Sequence, residues 1–200
     1  DFVVLCDHDD ILPPEALFSF AEAIVKEPET DCLYSDEDKL DMDGGSLFDP
    51  HFKPDFNPDL LGSVNYICHL FAVRKSLLDT VGQFDAAYDG AQDYDFIFRV
   101  TEKARHIVHV PKVLYHWRCH MNSTASNPES KLYAFEAGAR AIRAHYERVY
   151  PELKIKEVKK GVDYGIYHTI FELTEEPLVS VIIPNKDHRE DLDKAMRSLL

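Results

Sequence analysis

Two hundred residues suffice for one domain with a sizeable core, or for one domain and a fragment of another. A hydrophobic fraction of 45%, with twelve Phe, ten Tyr and one Trp, excludes a disordered chain. The formal net charge of −14 argues against non-specific binding to nucleic acid or an anionic membrane surface, although a bound divalent cation would reverse the local field for an anionic substrate.

Residues 2–6, Phe-Val-Val-Leu-Cys, form a short apolar run that reads as a buried, parallel strand. It ends abruptly in Asp7-His8-Asp9-Asp10. Open α/β sheets bind ligands at the carboxyl ends of their strands. Carboxylates on alternate residues there, Asp7 and Asp9, can converge on a hard cation and a bound phosphate. The bland alternative is a solvated acidic turn in which Asp10 caps the following helix.

Apolar residues at helical spacing predict a helix over 13–26, and 31–35 is a short strand running into Asp36-Glu37-Asp38-Lys39. Asp41-Met-Asp-Gly-Gly45 resembles a calcium loop, but Lys39 and Pro50 occupy the first and last ligand positions, so a turn is the better reading. Residues 46–62, rich in Phe, Pro and Asp, show no clear period and suit a surface crossing beside a site. A strand over 65–74, a helical turn after Arg74, a helix over 92–103, and strands over 107–110 and 113–117 follow. The longest helical pattern spans 131–150. Residues 152–160 read as a linker or exposed strand, and 164–173 alternates loosely like a strand. Residues 178–184, Leu-Val-Ser-Val-Ile-Ile-Pro, carry the strongest buried-strand signal, followed by a helix from 187.

The longest apolar stretch falls far short of the ~20 residues of a membrane span. Cys6, Cys32, Cys68 and Cys119 stand far apart with no CxxC pair, which suits reduced, mostly buried thiols in the cytoplasm.

Two further clusters carry chemistry. In Gly90-Ala-Gln-Asp-Tyr-Asp95, one carboxylate can cap a helix while the other faces a cleft. In Tyr115-His-Trp-Arg-Cys-His120, two histidines flank Arg118 in a polar strand end, a pattern open to a metal, phosphate or purely structural role.

Together, Leu5-Cys-Asp-His-Asp-Asp-Ile-Leu-Pro-Pro14, Tyr34-Ser-Asp-Glu-Asp-Lys39, Gln92-Asp-Tyr-Asp-Phe with Arg99, and Leu114-Tyr-His-Trp-Arg with His120 resemble the inverting family 2 glycosyltransferases. The closest likeness is to bacterial enzymes that build surface polysaccharides. The resemblance implies a GT-A α/β fold, a Rossmann-like mixed sheet flanked by helices, and transfer of a sugar from a nucleotide-diphosphate donor to a glycan or lipid-linked glycan. It implies a divalent cation, Mn²⁺ or Mg²⁺, held by Asp9 with Asp7 and by His120, with His116 the second choice. Asp7, Asp9 and Arg118 would face the donor diphosphate and Asp93 would be the general base. Gln92 stands where the family often has Glu, which removes a negative charge beside that base. Asn65, His69 and Gln92 are expected on the acceptor side. A non-catalytic carbohydrate-binding or scaffolding domain is the alternative.

Residues 178–200 resemble the first strand and helix of a second copy of the same domain, after a linker over 151–177. Residues 1–150 would then be the C-terminal part of a domain whose opening strands are missing, leaving the nucleotide pocket incomplete and the piece open to being inactive. The apolar 179–184 segment has the character to fill the exposed sheet edge, in its own chain or by exchange between chains. The expected location is cytoplasmic, or peripheral at the inner membrane face.

Overall fold

The computed structural model describes residues 1–119 and 132–199. Its centre is strand β2 (Cys32–Leu40), nine residues long rather than the five the sequence suggested. The acidic run 36–39 extends it instead of ending it. β5 (Ile107–Arg118) lies parallel along one side of β2. On the other side, β4 (Phe71–Arg74) pairs antiparallel with the first half of β2 and β3 (Leu47–His51) with the second half. β1 (Phe2–Leu5) pairs antiparallel with β4. β1, β2 and β5 therefore point the same way, with β4 reversed between β1 and β2. The expectation of a parallel, buried β1 is corrected: its hydrogen-bonded neighbour is antiparallel, and all four residues are half-buried.

Both sheet faces are covered. Along β2 and β4, Leu33 and Ala72 face one side with Leu114 and Tyr115 of β5, under Ala16 and Phe20 of helix α1 (Ala16–Lys26). Cys32, Tyr34, Phe71 and Val73 face the other side. They pack there against α4 (Gln92–Thr101) and α5 (Leu132–Val149), with α3 (Lys75–Val81) at the edge. This period-two split is what a sheet between helical layers requires. The architecture is the mixed α/β sheet flanked by helices that was expected.

Three local differences have physical reasons. The two strands expected at 107–110 and 113–117 are one strand, because Pro111 and Lys112 are absorbed as a bulge between the Ser35–Val110 and Asp36–Val113 pairs. The strand expected at 65–74 shortens to β4, since 65–69 is pulled out of the sheet by side-chain hydrogen bonds described below. The aperiodic 46–62 stretch contains β3 and a short helix, α2 (Pro58–Leu61), whose N-cap Asn57 accepts from the Leu60 amide at 2.9 Å.

The 151–177 segment forms a two-stranded hairpin, β6 (Ile155–Lys160) and β7 (Tyr167–Phe171), against α5. The Tyr167 hydroxyl donates to the Phe135 carbonyl at 3.1 Å over Gly138, where a Cβ would meet that hydroxyl at 2.1 Å. The strongest strand signal is not realised. Residues 178–184 form no strand, with Leu178 96% and Ile182 91% exposed, and they do not join the β1 edge. A strand needs a partner for its backbone N–H and C=O groups, and no described segment supplies one here. α6 (Arg189–Arg197) forms as expected but buries no residue. All four cysteines are free, and only Cys32 is fully buried. Among the described residues no helix is long and apolar enough to cross a membrane.

Candidate functional site

β1 and β5 run the same way with β4 and β2 between them, and the acidic turn after β1 reaches across to the end of β5. The Tyr115 hydroxyl donates to Asp10 Oδ2 and accepts from the Asp7 amide at 3.2 Å. The Arg118 amide donates to Asp10 Oδ1 at 2.7 Å, and its Nε donates to the Asp9 carbonyl at 2.8 Å. Asp10 is therefore a strut between two strand ends and not the cap of α1, whose N-terminus has no side-chain cap. Burial raises the pKa of Asp10, against the hydrogen bonds from Tyr115 and Arg118 that favour its charge.

This pinning turns Asp7, Asp10 and His69 toward one point. One ligand atom from each lies within 4.8 Å of the other two, the chemistry a hard divalent cation accepts. His69 comes from the loop before β4 and is held by ring stacking on Tyr115, centroids 4.6 Å apart, and edge contact with Trp117 at 6.1 Å. Asp9 is not in this trio; its Oδ1 lies 3.7 Å from His8 Nδ1. His116 is paired with Asp38, Nδ1 to Oδ1 2.5 Å. Arg118 spends its guanidinium on the Asp9 and Met42 carbonyls. His120 lies outside the described residues.

Asp93 sits in the first turn of α4. Its Oδ2 accepts from Asn65 Nδ2 at 2.8 Å, with Cys68 Sγ 3.8 Å away. Burial raises its pKa, opposed by the charge of His69, by the amides of Tyr94 and Asp93 itself, and by the Asn65 hydrogen bond. Asp95, two residues on, is buried against Arg99 at 2.8 Å; Asp93 lines the cleft, but neither carboxylate caps the helix, which has no side-chain cap.

Asp7, Asn65, His69, Gln92 and Asp93 all line one cavity of about 440 Å³, with Trp117, Tyr133 and Tyr167 among its aromatic walls. Gln92 Oε1 accepts from the Gly90 amide at 2.8 Å and so closes its own turn. Asp9 and Arg118 are not among the lining residues.

Lys53 was not legible as a functional residue. Its side chain is fully buried, and its ammonium donates to the Ile67 carbonyl at 2.7 Å, to the His69 carbonyl, and to Glu37 Oε2 at 3.4 Å. It thereby fixes the loop that carries Asn65, Cys68 and His69. Burial lowers its pKa despite Glu37. For Glu37 burial alone would raise the pKa, but the His51 hydrogen bond and the Lys53 charge hold it below the usual value. The carboxylate is thus the partner that gains from the pairing. The adjacent acids of β2 are each matched to a histidine as well: Asp36 to His109 at 2.8 Å and Asp38 to His116.

No family model matches the chain. It is 40% identical over 201 residues to the uncharacterized protein y4gI of Sinorhizobium fredii, covering all of this chain and 22% of that protein. It is 37% identical over 200 residues to the O-antigen biosynthesis protein RfbC of Myxococcus xanthus, again covering all of this chain and 15% of that protein. The chain thus spans about a fifth or less of the length of these relatives. Among solved structures it is similar to S. aureus TarS 1-349, at 18% identity and a TM-score of 0.44, over 76% of this chain and 48% of that one. The complex of TarS 1-349 with UDP gives 19% identity and a TM-score of 0.43 over 73% and 47%.

Proposed function

We propose that this chain carries the metal and base residues of an inverting glycosyltransferase of the GT-A type, which moves a sugar from a nucleotide-diphosphate donor to a glycan in polysaccharide synthesis. The observation that carries this reading is that Asp93 and the Asp7–His69 side of the acidic trio line one cavity. A module that only binds carbohydrate needs no such carboxylate. Similarity to a protein named for O-antigen biosynthesis, over the whole of this chain, supports the same class of product.

In this reading Asp7, Asp10 and His69 would hold a Mn²⁺ or Mg²⁺ ion, whose Lewis acidity would offset the charge of a leaving diphosphate. Asp93 takes the proton of the acceptor hydroxyl. Asn65 orients the carboxylate through its hydrogen bond to Oδ2. Burial raises its pKa, which makes Asp93 a stronger base than an ordinary carboxylate. Attack from the face opposite the leaving group inverts the anomeric centre. Tyr133 and Trp117 supply flat apolar walls suited to sugar rings.

The test is calorimetric titration of UDP, dTDP and GDP with and without Mn²⁺. Metal-dependent binding of one nucleotide, weakened at least about tenfold in Asp7→Asn and kept in Asp93→Asn, supports the assignment. Equal binding with and without metal, or binding insensitive to Asp7→Asn, overturns it.

A further inference from the structure

A second cavity, of about 340 Å³, shares Trp117 with the first. The strand register builds it. Glu37 stands opposite His51, and Lys39 stands between Phe48 and Trp117 across the β3–β2–β5 ribbon. Glu37 and Lys39 form the floor, with Asp49 and His51 on one side and Trp117 on the other. These groups are already set by mutual contacts: Lys39 with Asp49, and Glu37 Oε1 with His51 Nδ1 at 3.5 Å.

The chemistry narrows the occupant. Three carboxylates, Glu37, Asp38 and Asp49, line this space; Lys39 on Asp49 and Lys53 behind Glu37 offset two of them, and the remaining negative charge disfavours an anionic ligand. The acids do not converge on an ion, since the trio Asp7, Asp10 and His69 is the one cluster of metal-ligand geometry among the described residues. What remains is a neutral ligand rich in hydroxyls and with an apolar face to set against an indole. A volume near the lower end of the range for small-molecule sites fits one ring.

We propose that this cavity is a second sugar subsite, which takes a neutral hexose ring of the glycan adjoining the one in the Asp93 cavity. The proposal rests on the glycosyltransferase reading for the identity of the glycan, but sugar binding here needs neither donor nor metal. Trp117 is the single tryptophan of the chain and lines both cavities, so its fluorescence reports a sugar in either one, and variants of His51 and Asp93 assign the response.

The experiment titrates D-glucose, D-galactose, D-mannose, L-rhamnose and N-acetyl-D-glucosamine separately into the whole chain and follows Trp117 emission, with D-glucuronate as the charged comparison. At least one neutral sugar should give a saturable change. Its dissociation constant should rise about tenfold or more in His51→Ala, whose side chain is half-exposed, and stay within about twofold in Asp93→Asn. D-Glucuronate should bind more weakly than D-glucose. Circular dichroism of each variant confirms the fold. A response lost in Asp93→Asn but kept in His51→Ala would place the sugar in the first cavity and overturn the proposal. No saturable response to any of the neutral sugars would overturn it as well. Either result leaves metal-dependent nucleotide binding free to succeed, so the two readings fail separately.

Discussion

Replacing Lys53 by Met tests how the site loop is held. The substitution keeps most of the side-chain volume but removes an ammonium that satisfies Glu37 and the carbonyls of Ile67 and His69. Breaking a buried pair by removing one partner costs about 3–5 kcal/mol, because the other charge stays buried and unpaired. His51 still faces Glu37 from the exposed side, which favours the lower end, about 3 kcal/mol. At about 2–4 °C per kcal/mol for a chain of this size, the melting temperature should fall by roughly 6–12 °C. Urea unfolding measures the free energy, and Lys53→Met/Glu37→Gln separates the unpaired charge from the lost carbonyl contacts. The double variant should recover about 1–3 kcal/mol of the loss. Mn²⁺ binding should weaken together with the stability, since His69 sits on the loop that Lys53 fixes. A loss below about 1 kcal/mol, with no recovery in the double variant, would mean that Lys53 does not hold the loop.

Removing the Asn65 amide in Asn65→Ala takes away a hydrogen bond that favours ionised Asp93. The acid limb of the kcat/KM profile should move to higher pH, and the rate at neutral pH should fall about 10–100-fold, the equivalent of a charge-assisted hydrogen bond. Glu102 bonds His145 at 2.8 Å and Arg148 at 2.7 Å; burial alone would raise its pKa, yet these partners hold it below the ordinary 4.5. Its contribution to stability is therefore complete above about pH 4.5 and disappears as pH falls through the lower folded value, so Glu102→Gln should flatten the acid side of a stability–pH curve measured by urea denaturation. Gly138→Ala drives a methyl against the Tyr167 ring and should cost about 1–3 kcal/mol by thermal melting, whereas Gly82→Ala meets no neighbour and loses only through its positive φ.

The residues show where sequence reading reaches its limit. Local patterns gave the long helices and the turn after β1, because these depend on spacing within one element. His69 is expected on the acceptor side, and Asp10 enters only as a cap in the alternative reading of the turn. The contacts that position them, Tyr115 against both and Arg118 on Asp10, join residues far apart in the chain, which no local pattern carries. Lys53 was invisible for the same reason, since its partners are carbonyl oxygens that leave no mark on composition. The 178–184 run shows the converse. Its apolar character is a strong strand signal, but a strand exists only with a partner, and pairing is not a local property.

The proposed function places Asp7, Asp10 and His69 around one cation site facing Asp93. Its most direct test is Mn²⁺ titration followed by electron paramagnetic resonance on the unaltered chain, Asp7→Asn, His69→Ala and Asp93→Asn, with no nucleotide present. The expected result is one bound ion whose affinity falls about tenfold or more in Asp7→Asn and His69→Ala and stays within about threefold in Asp93→Asn. Full Mn²⁺ affinity in His69→Ala would contradict the site.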